Sequence, residues 1–323
     1  MEFQVLLSNL TNPTILFFVL GIIATQLKSD LEIPASSTKF ISLYLLFSIG
    51  FKGGQELAHS GFNREIVYAL FFGLAISSVI PLYTFFILKR KLSVSNAGAV
   101  AASYGSVSAV TFVAAVAFLE AQKIASGGHM VAVMALMESP AIVAGVILMK
   151  KYDQQRDGEE KMNIKSVLHH SFTNGSVLIV LGSLIIGLIA DARQSEGIRP
   201  FTTDIFKGFL AIFLLEMGMV TAKRFSAFRK YGLFVSLFAI LIPAVNGSVV
   251  AYISQFVTQD TGNRFIFAIL AASASYIAVP AAMRLARSKA DPGLYLPMAL
   301  GVTFPFNITI GMPLYFLIVN HSG

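Results

Sequence analysis

Ten apolar stretches separated by short polar turns fill the chain, at roughly residues 11 to 28, 38 to 58, 64 to 88, 94 to 120, 128 to 149, 172 to 190, 202 to 222, 231 to 257, 263 to 287 and 293 to 319. Each is near the ~20 residues that cross a hydrocarbon core as a helix, and the longer ones leave room for tilt or a break. Alternating ten-residue strands, which a membrane barrel requires, are missing from the pattern. The expectation is an all-α polytopic membrane protein of ten transmembrane helices.

The stretches also repeat. Leu20-Gly21, Pro34, Gly50, the run from Ala102 to Phe112 and the run from Met134 to Ile142 are answered, in the same order, by Leu181-Gly182, Pro200, Gly218, the run from Ala271 to Ala281 and the run from Met298 to Asn307. Five crossings per copy force the copies into opposite orientations, the 5+5 inverted repeat of secondary transporters, whose substrate lies near the bilayer midplane between broken helices. The boundaries read are 1–150 for the first repeat, 151–171 for a polar cytoplasmic linker and 172–323 for the second repeat.

Composition sharpens the class. With 55% hydrophobic and 13% charged residues the chain is too apolar for an ordinary soluble domain. Its net charge of +7 is scattered over loops, without the basic, aromatic-laced surface that nucleic acid needs. Lys and Arg number seventeen in the loops after odd spans and seven on the other side. The odd loops are therefore expected in the cytoplasm and both termini outside. Glu2 and the absence of a basic N-terminal region argue against a signal peptide. No cysteine is present, which removes thiolate metal sites and thiol catalysis. No nucleotide-binding glycine loop or catalytic triad is evident, so neither an enzyme nor ATP-driven transport is expected.

The chemistry concentrates in four spans. In the fourth, Gly98, Ser103, Gly105, Ser106 and Ser108 interrupt a run of helix formers. In the ninth, Ser273, Ser275 and Tyr276 precede Pro280, whose missing N–H is expected to release a carbonyl one turn back. Backbone opened at this depth must face protein or a polar cavity. Two helices restarting there would aim free N–H groups and about half a positive charge each at a small anion. With no Arg or Lys inside either stretch, a compact monoanion suits better than a phosphate ester. The candidate substrate contacts are Gly105, Ser106, Val107, Ser108, Ser275, Tyr276 and Ile277. A small-residue helix-packing surface is the competing explanation for one span, and a weaker one for a matched pair.

Glu138 lies mid-span in the fifth stretch, where an ionisable group costs at least about 2.5 kcal/mol without a cavity or partner. Thr303 is its counterpart in the tenth span, Asn307 follows one turn on, and Pro140 and Pro305 occupy matching places. Hard oxygen donors of this kind suit Na⁺. The candidate sodium ligands are Ser103, Ser108, Glu138, Ser273, Thr303 and Asn307, with Na⁺ as coupling ion and no other cofactor. A structural buried acid or a proton relay are the other readings of Glu138. Glu216, aligned with Ser48, is assigned a structural or interface role.

The runs from Tyr104 to Phe112, from Met134, from Ser273 to Arg284 and from Phe304 to Tyr315 closely resemble the sodium-dependent bicarbonate permease family over essentially the whole chain. The resemblance implies a substrate-carrying core of spans three to five and eight to ten that slides, elevator-fashion, against a scaffold of spans one, two, six and seven. It implies sodium-coupled bicarbonate uptake across a bacterial inner membrane, a homotrimer held by the scaffold, and in some members a PII-like regulator on the cytoplasmic face. Two other classes compete: a bile-acid-type symporter of small organic anions, favoured by an enlarged apolar cavity, and an anion channel, favoured by a continuous polar pore.

Overall fold

The computed structural model describes residues 11–61, 63–152, 169, 173–228, 231–286 and 288–322, and every regular element among them is helical. In chain order the main helices are α1 (Pro13–Gln26), α2 (Ala35–Ser60), α3 (Arg64–Leu88), α4 (Val94–Gly105), α5 (Ala109–Ala121), α6 (His129–Tyr152), α7 (Gly175–Ile189), α8 (Phe206–Phe228), α9 (Gly232–Ile253), α10 (Thr261–Ala272), α11 (Ala278–Leu285) and α12 (Pro292–His321). Short turns at Ala192–Glu196 and Pro200–Asp204 lead into α8, and α12 is wound in wider π turns at Met298–Thr303 and Asn307–Gly311. Among the described residues six segments are long and apolar enough to cross a membrane: Arg64–Leu88, Val94–Ala121, His129–Tyr152, Pro200–Phe225, Gly232–Phe256 and Pro292–His321. Most of the expected linker lies outside the described residues.

Polar residues ahead of apolar runs set the helix starts. Asn12, Asn63, Ser93, Ser108, Asn174, Asp260 and Asp291 each accept a backbone N–H from the first turn of the helix that follows, satisfying donors that helix geometry leaves unpaired. Within helices, Pro81, Pro140 and Pro243 each lack the N–H that would close a turn.

Glycine dictates the closest packing. α1 lies against α8 and α2 against α7. A Cβ on Gly21 would sit 2.1 Å from the Leu215 carbonyl oxygen, and one on Gly218 would sit 2.0 Å from that of Phe18. Gly54 meets Leu184 O at 2.1 Å and Gly187 meets Phe51 O at 2.2 Å in the same way. Backbones this close tolerate no side chain, the small-residue contact that lets helices associate in lipid. Around these pairs, α3 packs on α4 and α6, while α9 packs on α10 and α12. In an apolar 18-residue stretch of Val94–Ala121, 89% of the residues are buried, whereas in such stretches of α3 and of the segment beginning with α9 39% are. The interrupted helices are thus enclosed, and α3 and α9 form the outer flanks.

Candidate functional site

The fourth and ninth apolar stretches are both broken, where small and hydroxyl residues interrupt the helix formers. α4 stops at Gly105, and Ser106 and Ser108 are extended before α5 begins. α10 stops at Ala272, Ser273 is extended, and the chain turns helical again at Ala278. Pro280 does not release a carbonyl, contrary to the expectation. It sits in the first turn of α11, where its missing N–H would have had no helical partner.

The two breaks satisfy each other. Ser275 N–H donates to Ser103 O at 2.8 Å, and Ser103 Oγ donates back to Ser275 O at 2.5 Å. Ser108 N–H donates to Ser273 Oγ at 3.0 Å, and Ser106 Oγ donates to the Glu138 carbonyl at 3.1 Å. The exposed carbonyls at the end of α10 are taken by amides: Asn307 Nδ2 donates to Ala272 O at 2.8 Å and Asn246 Nδ2 to Ala271 O at 3.3 Å. Asn246 in turn accepts the hydroxyl of Tyr83.

A cavity of about 20 Å³ lies beside the crossing, lined by Val107, Ser108, Glu138, Ser275, Tyr276 and Ile277. Both restarting helices border it, α5 through Ala109 and α11 through Ile277, which carries no capping oxygen. The space matches a solute only slightly larger than water. Glu138 Oε1 accepts from Asn174 Nδ2 at 3.3 Å, so the acid of α6 is tied to the residue that heads α7. A crevice of about 580 Å³ shares Ser176, Tyr276 and Ile277 with the cavity and continues past Glu216 to Lys39. Glu216 therefore belongs to the crevice wall.

Of the sequence-selected residues, the fold brings Val107, Ser108, Glu138, Ser275, Tyr276 and Ile277 to the cavity, and uses Ser103, Ser106 and Ser273 to tie the crossing. Gly105 is pressed on Pro81: a Cβ there would lie 2.3 Å from Pro81 Cγ. Thr303 and Asn307 are not among the lining residues of that cavity. Thr303 Oγ1 donates to Ala239 O at 2.7 Å, the carbonyl that Pro243 deprives of its helical partner, and contacts Tyr104 Oη at 2.7 Å. Asn307 Oδ1 still accepts from Tyr315 Oη at 3.2 Å. Among the described residues no three His, Asp or Glu side chains gather as a metal site, so a cation here would rely on hydroxyl, amide and carbonyl oxygens beside one carboxylate, a donor set that fits Na⁺. Asn174 and Ser176 escaped the sequence reading. The polar Asn174-Gly175-Ser176 within the first residues of the sixth apolar stretch is the helix-start signal that marks them.

Thr303→Val should leave Ala239 O bare and lower stability by about 1–3 kcal/mol, read as a lower melting temperature. Thr303→Ser should restore it.

An all-helical membrane protein enclosing two mutually bonded, interrupted helices has the construction of a secondary transporter. A profile of the Na⁺-dependent bicarbonate transporter superfamily matches residues 13–320, and the chain belongs to that superfamily. No curated protein matches it. The family is one of transporters rather than enzymes, and it bears out the resemblance carried by the motifs.

Proposed function

We propose that the protein carries bicarbonate into the cell together with Na⁺, by sliding a core of α3–α6 and α9–α12 against a scaffold of α1, α2, α7 and α8. The observation that carries this reading is the small cavity at which α5 and α11 both begin, with the Glu138 carboxylate on its wall. Two helix starts favour an anion. The carboxylate beside them calls for a cation when the anion arrives, since two uncompensated negative charges in a dry site are costly. The membrane potential adds to the need: bringing one anion into a negative interior costs about 2.3 kcal/mol per 100 mV, and one accompanying Na⁺ cancels that cost.

The elevator and the inverted repeat draw support from exchange of packing partners. The first helix of each half (α1, α7) lies on the second helix of the other half (α8, α2), through glycine contacts of the same kind. Asn12 and Asn174 cap the equivalent helices, and Pro81 and Pro243 interrupt the equivalent flanks. The crevice opens at the Lys39 end of the scaffold, the end that the excess of Lys and Arg in the odd loops makes the expected cytoplasmic side. The cavity's size favours bicarbonate over a bulky organic anion. Uptake of isotope-labelled bicarbonate into vesicles should follow an inward Na⁺ gradient and vanish when that gradient is collapsed. Equal accumulation without sodium would remove the proposal.

A further inference from the structure

At the opposite end from the crevice, the scaffold and core are joined by charge. Glu120, in the last turn of α5, has Oε1 3.0 Å from Lys52 Nζ on α2 and Oε2 3.5 Å from Lys207 Nζ on α8. Each carboxylate oxygen is thus engaged by a different scaffold helix. The same end is where the core's Gly128 meets the scaffold's Gly53, a Cβ on the former lying 2.0 Å from the carbonyl of the latter. The protein is closed here and open at the crevice.

Beneath these bridges lies a second cavity of about 360 Å³, lined by Lys52, Glu56, Glu120 and Lys123 at its mouth and by Val116 and Phe112 at depth. Its inner wall is α5 itself. Phe112 stands four residues from Ser108 on that helix, about 6 Å along the axis, and is 1% exposed, so it stops the cavity short of the candidate substrate site. The cavity is a blind approach to the site from the side opposite the crevice, and its mouth carries Lys52 and Lys123, with Lys207 adjacent, beside Glu56 and Glu120.

We propose that Lys52 and Lys207 form an anion-collecting vestibule, and that the Glu120 carboxylate stands in for the anion on them while the core is in the position seen here. Glu120 belongs to the part that slides and the lysines to the part that stays. Movement of the core withdraws the internal carboxylate and uncovers the lysines when the site turns toward that side. The same three residues then do two things: they hold the closed state shut, and they present positive charge to a small monoanion only when the path is open. Partly exposed ion pairs of this kind are individually weak and salt-sensitive, as a latch opened on every cycle must be. This inference rests on the sliding-core reading above.

The chain has no cysteine of its own, so a single Val116→Cys reports the vestibule through its rate of reaction with a membrane-impermeant maleimide added outside. Adding Glu120→Gln should raise that rate at least about three-fold, as expected for losing two weak ion pairs. Independently, Lys52→Gln with Lys207→Gln should raise the KM for bicarbonate at least about three-fold at low ionic strength, with the difference fading at high salt. Lys52→Arg with Lys207→Arg should retain the original KM. An unchanged labelling rate overturns the latch, and an unchanged KM overturns the vestibule. A Val116→Cys protein that labels as expected, in a chain whose wild-type form shows no sodium-driven uptake, would instead remove the proposed function, so the two failures are separable.

Discussion

Glu138→Gln should reduce sodium-driven uptake by at least about 100-fold, a loss of about 2.7 kcal/mol, while leaving the fold intact. The substitution keeps the side chain's shape and an oxygen able to accept from Asn174, whose amide lies 3.3 Å from Glu138 Oε1. What disappears is the negative charge on the cavity wall. Without it the two helix starts still attract an anion, but nothing at the site requires the cation, so coupling fails even if binding survives. A melting temperature within the range expected for one altered hydrogen bond, about 1 kcal/mol, together with lost uptake, is the predicted pair of results. Retained uptake with unchanged sodium dependence would show that another group binds the ion.

Gly105→Ala should lower both stability and transport. Its Cβ would lie 2.3 Å from Cγ and 2.5 Å from Cδ of the rigid Pro81 ring, and 3.0 Å from Ala141 Cβ. The collision is with α3 on one side and α6 on the other, so the end of α4 has to move. Overpacking of this kind costs about 1–3 kcal/mol. The displacement also reaches function, because Ser103 and Ser106, on either side, tie the break to Ser275 and Glu138. Uptake should fall at least about tenfold alongside the melting temperature. Gly182→Ala provides the contrast: nothing lies within 4 Å of its Cβ position, and it should be neutral or slightly stabilising.

The interruptions at Ser106–Ser108 and Ser273–Ile277 were readable because they are properties of local composition: glycine and serine in a long apolar run weaken a helix wherever the run ends up. The cavity residues that follow directly from those breaks were therefore found. Thr303 and Asn307 show where such reading stops. Residue type marks both as oxygen donors, but which acceptor each meets depends on neighbouring helices: Thr303 answers the carbonyl stripped of its partner by Pro243, and Asn307 the end of α10. Pro280 illustrates the same point, since the one-residue placement of a helix start decides whether a proline breaks a turn or begins one. Asn174 lay at the border of an apolar stretch, and its approach to Glu138 is a tertiary contact across 36 residues.

The mutual bonding of the two interruptions also constrains how the protein can be made. Ser103 and its partner Ser275 are 172 residues apart in the chain, so when the ribosome has delivered the first half, the opened backbone there has nothing to bond. Unpaired peptide groups in hydrocarbon cost several kcal/mol each. Until the segment holding Ser275 is inserted, the nascent segment holding Ser103 has to remain continuous helix or sheltered by the insertion machinery, and the crossing of the two breaks comes into being only after both have been made.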